Sequence, residues 1–258
     1  MTSSSLSLQG RVAVVLGGTT GIGRSLSLGL RRAGADVVAS ARRREHVEEV
    51  ADELSAMGGR TLRVVSDVKD RSSLERLLVE VVSGLGKVDI LVNCAGRTKR
   101  GPTLEFSEAD WEEILATNLT GTLRACQVFG RHMLERGYGR IINIASLTSF
   151  VALHEVAAYG ASKAGVAALT KSLAVEWGAR GVCVNAIAPG VFRTDLNAGL
   201  LDGTPRGREL LARTPMGRFG DVGELAGAAV FLASEAASYV NGEVLVVDGG
   251  FLASGVNL

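Results

Sequence analysis

Seven short runs of apolar, mostly β-branched residues, at 12–16, 36–41, 61–65, 88–93, 140–145, 182–188 and 244–247, show no regular polar alternation. A strand with one wet face alternates apolar and polar side chains, so runs of this kind belong to strands covered on both faces. Between them lie segments such as REHVEEVADELSAMGG and RSSLERLLVEVVSGLG, whose apolar residues recur at helical spacing and which end in glycine. Strand followed by helix, repeated along the chain, predicts a doubly wound, Rossmann-like α/β fold. Its parallel sheet should have about seven strands, right-handed crossovers and helices on both faces. The 258 residues, 47% of them hydrophobic, suffice for one such domain over 1–258, and no low-complexity linker or second period interrupts them.

Charge and cysteine content narrow the function classes. With 28 basic and 27 acidic residues the formal charge is +1, which gives no electrostatic reason to expect nucleic acid or an acidic membrane surface as partner. The start, MTSSSLSLQGR, has neither a basic leader nor an apolar core of signal-peptide length. No apolar run approaches the roughly 18 residues of a membrane span, so a cytoplasmic protein is expected. Cys94, Cys126 and Cys183 lie far apart in apolar surroundings and read as buried thiols of a reducing compartment. His46, His132 and His154 are equally scattered, and no metal site is expected. The longest irregular stretch, about 191–220, directly follows a strand end, where ligands sit in such sheets, and reads as a substrate loop.

The chemistry begins at LGGTTGIG, residues 16–23, which follows the first apolar run and opens a helix. Gly17 allows a tight turn, Gly21 lets backbone amides approach a pyrophosphate, and Gly23 lets the helix pack closely. The spacing is not the dinucleotide fingerprint G-x-G-x-x-G, so the turn needs a second signal. YGASK supplies it. Tyr159 and Lys163 are four residues apart and share one helix face, where an ammonium would lower the phenol's pKa toward the range useful for proton transfer. Ser146 follows the run RIINIA and can present a hydroxyl beside that phenol. Ser162 imitates a nucleophile elbow, but GASKAG has one residue too many for G-x-S-x-G.

These motifs resemble those of the short-chain dehydrogenase/reductase family. The resemblance runs from GRVAVV to VDGG and takes in GGTTGIG, NCAG at 93–96, Asn118 in ATNLTG, Ser146, Tyr159 with Lys163, and PGVFRTD from Pro189. It implies that Tyr159 is the general acid/base and that Ser146 polarises the substrate carbonyl. Lys163 would also hold the nicotinamide ribose, and Asn118 would support a water-linked proton relay. It further implies cofactor contacts from Gly17, Gly21, Ile22 and Gly23, from Asp67 to adenine, from Asn93 and Gly96, from Pro189 and Gly190, and from Thr194 to the carboxamide. Two positions depart from the family's usual pattern: Leu16 replaces a threonine and Cys94 replaces the second asparagine of NNAG. A nucleotide-binding module without catalysis is the alternative of another class, but such a protein would be expected to lose Tyr, Lys or Ser, and all are present.

Small residues at Ala161, Ala164, Gly165 and Ala168 allow close contact of the YGASK helix, either with the sheet or with another subunit; the resemblance implies a homotetramer. The segments around RTKRG, NIASLTSF and GGFLASGVN look most like the sugar-acid branch of the family, the gluconate 5-dehydrogenases and deoxyketogluconate dehydrogenases. A substrate carboxylate would give Arg97 and Arg100 a purpose. The alternative is a reductase of 3-oxoacyl thioesters or uncharged ketones. At the end of the second apolar run, where such folds often place an acid for the adenosine ribose, stands Ala41, followed by Arg42, Arg43 and Arg44. Arginines opening a helix oppose its macrodipole unless an anion joins them, so NADP is expected over NAD, with Arg42 on the 2′-phosphate.

Overall fold

The computed structural model describes residues 5–194 and 197–255. Residues 1–4, Asp195 and Leu196 of the expected substrate loop, and 256–258 of the C-terminal stretch lie outside the described residues. Six parallel strands, β1 (Val12–Leu16), β2 (Asp36–Ser40), β3 (Ile90–Asn93), β4 (Gly139–Ile144), β5 (Val182–Pro189) and β6 (Val244–Val247), form one sheet in the order β2-β1-β3-β4-β5-β6. Successive β1 residues serve opposite cores. Val12, Val14 and Leu16 pack with one cluster, which includes Leu74, Phe129 and Leu173, while Ala13 and Val15 pack with the other, which includes Leu26, Val50 and Leu232. That is why the run shows no polar alternation.

The first cluster draws on helices α3 (Arg71–Leu85), α5 (Gly121–Arg136) and α6 (Ala157–Trp177); the second draws on α1 (Gly21–Arg32), α2 (Arg44–Ala56) and α9 (Leu225–Ala233). Helix α4 (Glu108–Leu115) runs into α5 through a π-turn at Ala116–Thr120, and α7 (Ala198–Leu201) and α8 (Pro205–Ala212) follow β5. The order reverses at β1, which has β2 on one side and β3 on the other. This opens a crevice at the strands' carboxyl ends. At the opposite end of the sheet the buried Asp89 accepts from Val12 N at 3.0 Å and pairs with Lys87 at 2.9 Å and Arg136 at 3.2 Å. Beside it, Arg11 and Arg140 flank the Tyr138 ring at 4.0 and 4.7 Å, and Glu235 collects both guanidinium groups and the phenol.

Three expectations need correction. The sheet has six strands rather than seven, because 61–65 lies beside β2 without forming a ladder. It is tethered at its ends, with Val37 N donating to Arg60 O and Ser66 N to Ala41 O, and the Ser40 hydroxyl donates to Val64 O at 2.6 Å. As the outermost segment it has a neighbour on one side only, and Thr61, Leu62, Arg63 and Val65 keep contact with water. The stretch 191–220 is not irregular throughout: Leu201 of α7 and Leu210 of α8 pack with Leu147 and Phe251. Thr204 caps α8, accepting from Gly207 N, and Pro205 opens it. Finally, Cys126 and Cys183 are buried, whereas Cys94 is half-buried in the cleft wall.

On α6, Ala161, Ala164 and Ala168 are exposed, but a Cβ at Gly165 would lie 2.8 Å from Leu119, so the small residues divide between outward and inward packing. Among the described residues no helix is long and apolar enough to cross a membrane, and no cluster of three or more His, Cys, Asp or Glu could hold a metal.

Candidate active site

The turn after β1 is set by backbone contact. Gly17 has φ +72°, and a Cβ there would lie 2.7 Å from Ala95 N and Cα; a Cβ on Gly23 would lie 2.0 Å from the Gly17 carbonyl. Helix α1 therefore sits directly on its own turn, closer than any side chain would permit. Thr20 gives it no side-chain cap and its first turn holds no acid, which leaves the leading N–H groups available to an anion. They open on a cleft of about 740 Å³ that also takes in residues 40–43, 66–69 and 94–98 and Glu113, Thr117, Tyr159, Lys163 and Thr194.

Of the expected cofactor residues, Gly17, Gly21, Ile22, Gly23, Arg42, Asp67, Gly96, Tyr159, Lys163 and Thr194 line this one cleft. Asn93, Pro189 and Gly190 do not. Asn93 is buried, and its amide donates to Asn143 Oδ1 at 2.8 Å and toward Cys126 Sγ at 3.4 Å, so it ties β3 to β4 beneath the site. Gly190 passes Asp248 so closely that a Cβ would lie 2.5 Å from its Cα, and its N–H donates to Val247 O. These two residues aim the chain that brings Thr194 opposite Gly21.

At the other end of the cleft the expected tetrad assembles. Ser146 follows β4, its Oγ accepts from Thr148 N, and it lies close enough to the Tyr159 phenol to work against the effect of burial on that group. Lys163 Nζ donates to Ile144 O at 2.6 Å and lies 5.7 Å from the centre of the Tyr159 ring. Asn118, on the π-turn, clamps the chain after NCAG: its Oδ1 accepts from Arg97 N at 2.8 Å and its Nδ2 donates to Arg97 O at 2.9 Å. The same Nδ2 also donates to Ser162 Oγ, which in turn donates to Tyr159 O, so Ser162 is structural and no nucleophile.

Titration departs from expectation in sign. Burial pushes the Tyr159 phenol up, and Ser146 opposes the shift. One of the ammonium's three N–H groups goes to Ile144 O. Burial also brings Lys163 down from 10.5 to about 8 and raises Cys94 to about 11 against the pull of Lys163.

The basic loop after NCAG is paired throughout. Arg97 bonds Glu113 Oε1 at 3.1 Å, Lys99 pairs with Asp110, and Arg100 Nε meets Glu155 Oε2. Arg97 lines the cleft and Arg100 does not. Glu155 holds a left-handed backbone, φ +64°, unusual for a residue with a side chain, and its carbonyl accepts from Gly101 N. At the adenosine end the arginine run divides. Arg44 pairs with Glu48 one helical turn on, while Arg42 and Arg43 are exposed, line the cleft and have no ion pair among the described residues. Asp67 spends one oxygen on Lys69 N. Lys69, Glu113, Thr117 and Arg43 join the cleft without having been singled out in the sequence. Only Arg43 left a signal there, its place in the run.

The family model described as Enoyl-(Acyl carrier protein) reductase matches residues 17–252. The gluconate 5-dehydrogenase of Gluconobacter oxydans is 41% identical over 96% of this chain and 97% of its own. The D-threitol dehydrogenase of Mycolicibacterium smegmatis is 44% identical over 95% and 94%. A crystal structure of a gluconate 5-dehydrogenase from Burkholderia cenocepacia, in complex with NADP and tartrate, superposes with a TM-score of 0.94 at 39% identity, covering 97% of this chain and 98% of that one.

Proposed function

The chain belongs to the short-chain dehydrogenase/reductase family, and from that premise we propose an NADP(H)-dependent enzyme that interconverts a secondary alcohol and a ketone on a sugar acid. The observation that carries the reading is the approach of the Ser146 hydroxyl to the Tyr159 phenol beside Lys163, with Tyr159 and Lys163 lining one end of a cleft whose far end holds Arg42 and Arg43, which have no ion pair among the described residues. Two hydroxyls that converge can serve one substrate oxygen. That is carbonyl and alcohol chemistry, and it sets the reading apart from reduction of a carbon–carbon double bond.

The cleft suits a phosphorylated nicotinamide dinucleotide. Gly17 and Gly23 bring backbone close where a side chain would block it, α1 presents free N–H groups, and Ala41 leaves no carboxylate to repel a 2′-phosphate near Arg42 and Arg43. Asp67 would take the adenine side, and Gly96 and Thr194 the nicotinamide side. When bound, that cofactor supplies or accepts the hydride. Tyr159 Oη gives its proton to the ketone oxygen in reduction and takes the hydroxyl proton in oxidation, while the Ser146 hydroxyl donates to the same oxygen. Raised by burial, the phenol of the cofactor-free protein holds its proton at neutral pH. Lys163 brings an ammonium toward the ribose and the phenol, and Asn118 fixes the floor that carries Gly96.

Arg97 and Arg100 are the proposed receptors for a substrate carboxylate, a reading supported by the gluconate names among the relatives. Their pairing with Glu113 and Glu155, and the similarity to a dehydrogenase of the uncharged polyol threitol, support the second reading, a neutral alcohol or ketone. We also read the chain as one domain that assembles as a cytoplasmic homotetramer, supported by its unpaired thiols and the exposed small-residue face of α6. The test of the mechanism is Tyr159→Phe. NADPH binding should persist while turnover falls by about 10²–10⁴-fold; near-normal turnover would overturn it.

A further inference from the structure

Two acidic side chains line the cleft, and one has no part in the chemistry above. Asp67 faces the adenosine side; Glu113, on α4, is unassigned. Its Oε1 accepts from Lys69 Nζ at 2.9 Å and from Arg97 at 3.1 Å, and its Oε2 accepts from Lys69 at 3.1 Å. Lys69 stands two residues beyond Asp67 and Arg97 one beyond Gly96, so this carboxylate joins the adenosine wall to the nicotinamide wall. All three side chains are a third or more open to water, 33% for Glu113, 34% for Lys69 and 41% for Arg97, so a ligand can compete for either cation.

We propose that Glu113 is a charge-tuning residue of the cofactor cleft: by occupying Lys69 and Arg97 it weakens the hold on the polyanionic dinucleotide and so sets how fast the cofactor leaves. The inference rests on the reading of the cleft as a dinucleotide site. Its argument is electrostatic. Two cations and one anion leave a single positive charge on this triad, and without the carboxylate there are two. That gain would add to the α1 N-terminus, Arg42 and Arg43, all already aimed at phosphate. A cleft so positive would retain its product cofactor, and release limits turnover in many enzymes of this kind. Its two cationic partners hold the Glu113 carboxyl below the usual range, which keeps the opposing charge in place at working pH.

A plain structural brace predicts the opposite sign, since loosening the lip of the cleft would weaken binding. Wild type, Glu113→Gln and Glu113→Ala are titrated with NADPH and NADH by nicotinamide fluorescence at several salt concentrations. Off-rates are taken by stopped-flow displacement and folding is checked by thermal melts. Both variants should bind both nucleotides about three- to tenfold more tightly, with slower release, a steeper salt dependence and an unchanged NADPH/NADH ratio. Unchanged or weaker binding by both variants, with wild type binding normally, overturns the inference alone. Failure of the wild type to bind either nucleotide overturns the reading of the cleft, and the inference with it.

Discussion

Replacing Lys163 by methionine should stabilise the cofactor-free protein at neutral pH while abolishing turnover. The lysine is buried, and its pKa falls from 10.5 to about 8, so below pH 8 the fold carries a charge that it disfavours relative to the unfolded chain. At about 1.4 kcal/mol per tenfold change, that gap costs roughly 3 kcal/mol at pH 7. Methionine removes the cost but leaves the Ile144 carbonyl without its 2.6 Å partner, a loss of about 1–3 kcal/mol. The variant should therefore be more stable by up to about 2 kcal/mol at pH 7. The sign with pH is set by proton counts. Between pH 8 and 10.5 the unfolded lysine holds a proton that the native one has lost, so wild-type stability gains from this group as pH rises. The advantage of the variant should shrink by roughly 2.5 kcal/mol from pH 7 to pH 10. Urea denaturation at half-unit pH steps, without cofactor, measures both numbers. A variant less stable than wild type at pH 7 by an amount that does not change up to pH 10 would refute the reasoning.

Arg42→Ala should lower the ratio of kcat/KM with NADPH to that with NADH by about ten- to a hundredfold, the worth of one charge-assisted phosphate contact; a wild type that prefers NADH, or an unchanged ratio, would count against Arg42. Asp89→Asn strands Lys87 and Arg136 at the amino end of the sheet and should cost about 3 kcal/mol, toward the lower limit for a broken buried pair because both cations keep some water, visible as a melting point lower by about 6–12 °C. Its KM values should hold, since the site lies at the opposite end. Michaelis constants for keto-sugar acids should be lower than for their uncharged analogues, with Arg100→Ala erasing the difference. No preference for the anion in wild type would favour the neutral-substrate reading.

The architecture was legible wherever a residue's role follows from its own spacing. Val12–Leu16 is apolar without interruption because both its faces meet helices, and Tyr159 and Lys163 share a face because they are four apart on one helix. Legibility stopped where a role depends on competition. Nothing local tells whether 61–65 ladders with β2 or merely lies beside it, and nothing in YGASK says that the lysine donates to Ile144 O. Asn93 sits in a cofactor motif yet serves the sheet, because its side chain points down at Asn143. Glu113 gave no signal at all, since its partners come from segments 44 and 16 residues away.

The π-turn at Ala116–Thr120 also governs length. Gly121 N donates five residues back to Ala116 O, so α4, the turn and α5 are one helical rod carrying a single extra residue. Each residue turns a helix by about 100°. Deleting one residue between 116 and 120 would close the register to an ordinary helix and tighten its hydrogen bonding, yet it would swing Asn118 away from Arg97 and Ser162 or carry α5 off its packing face. The rod can therefore absorb many replacements on its outer side but not a change of one in its count: an insertion or deletion here would spare the helix and undo the floor beneath Gly96.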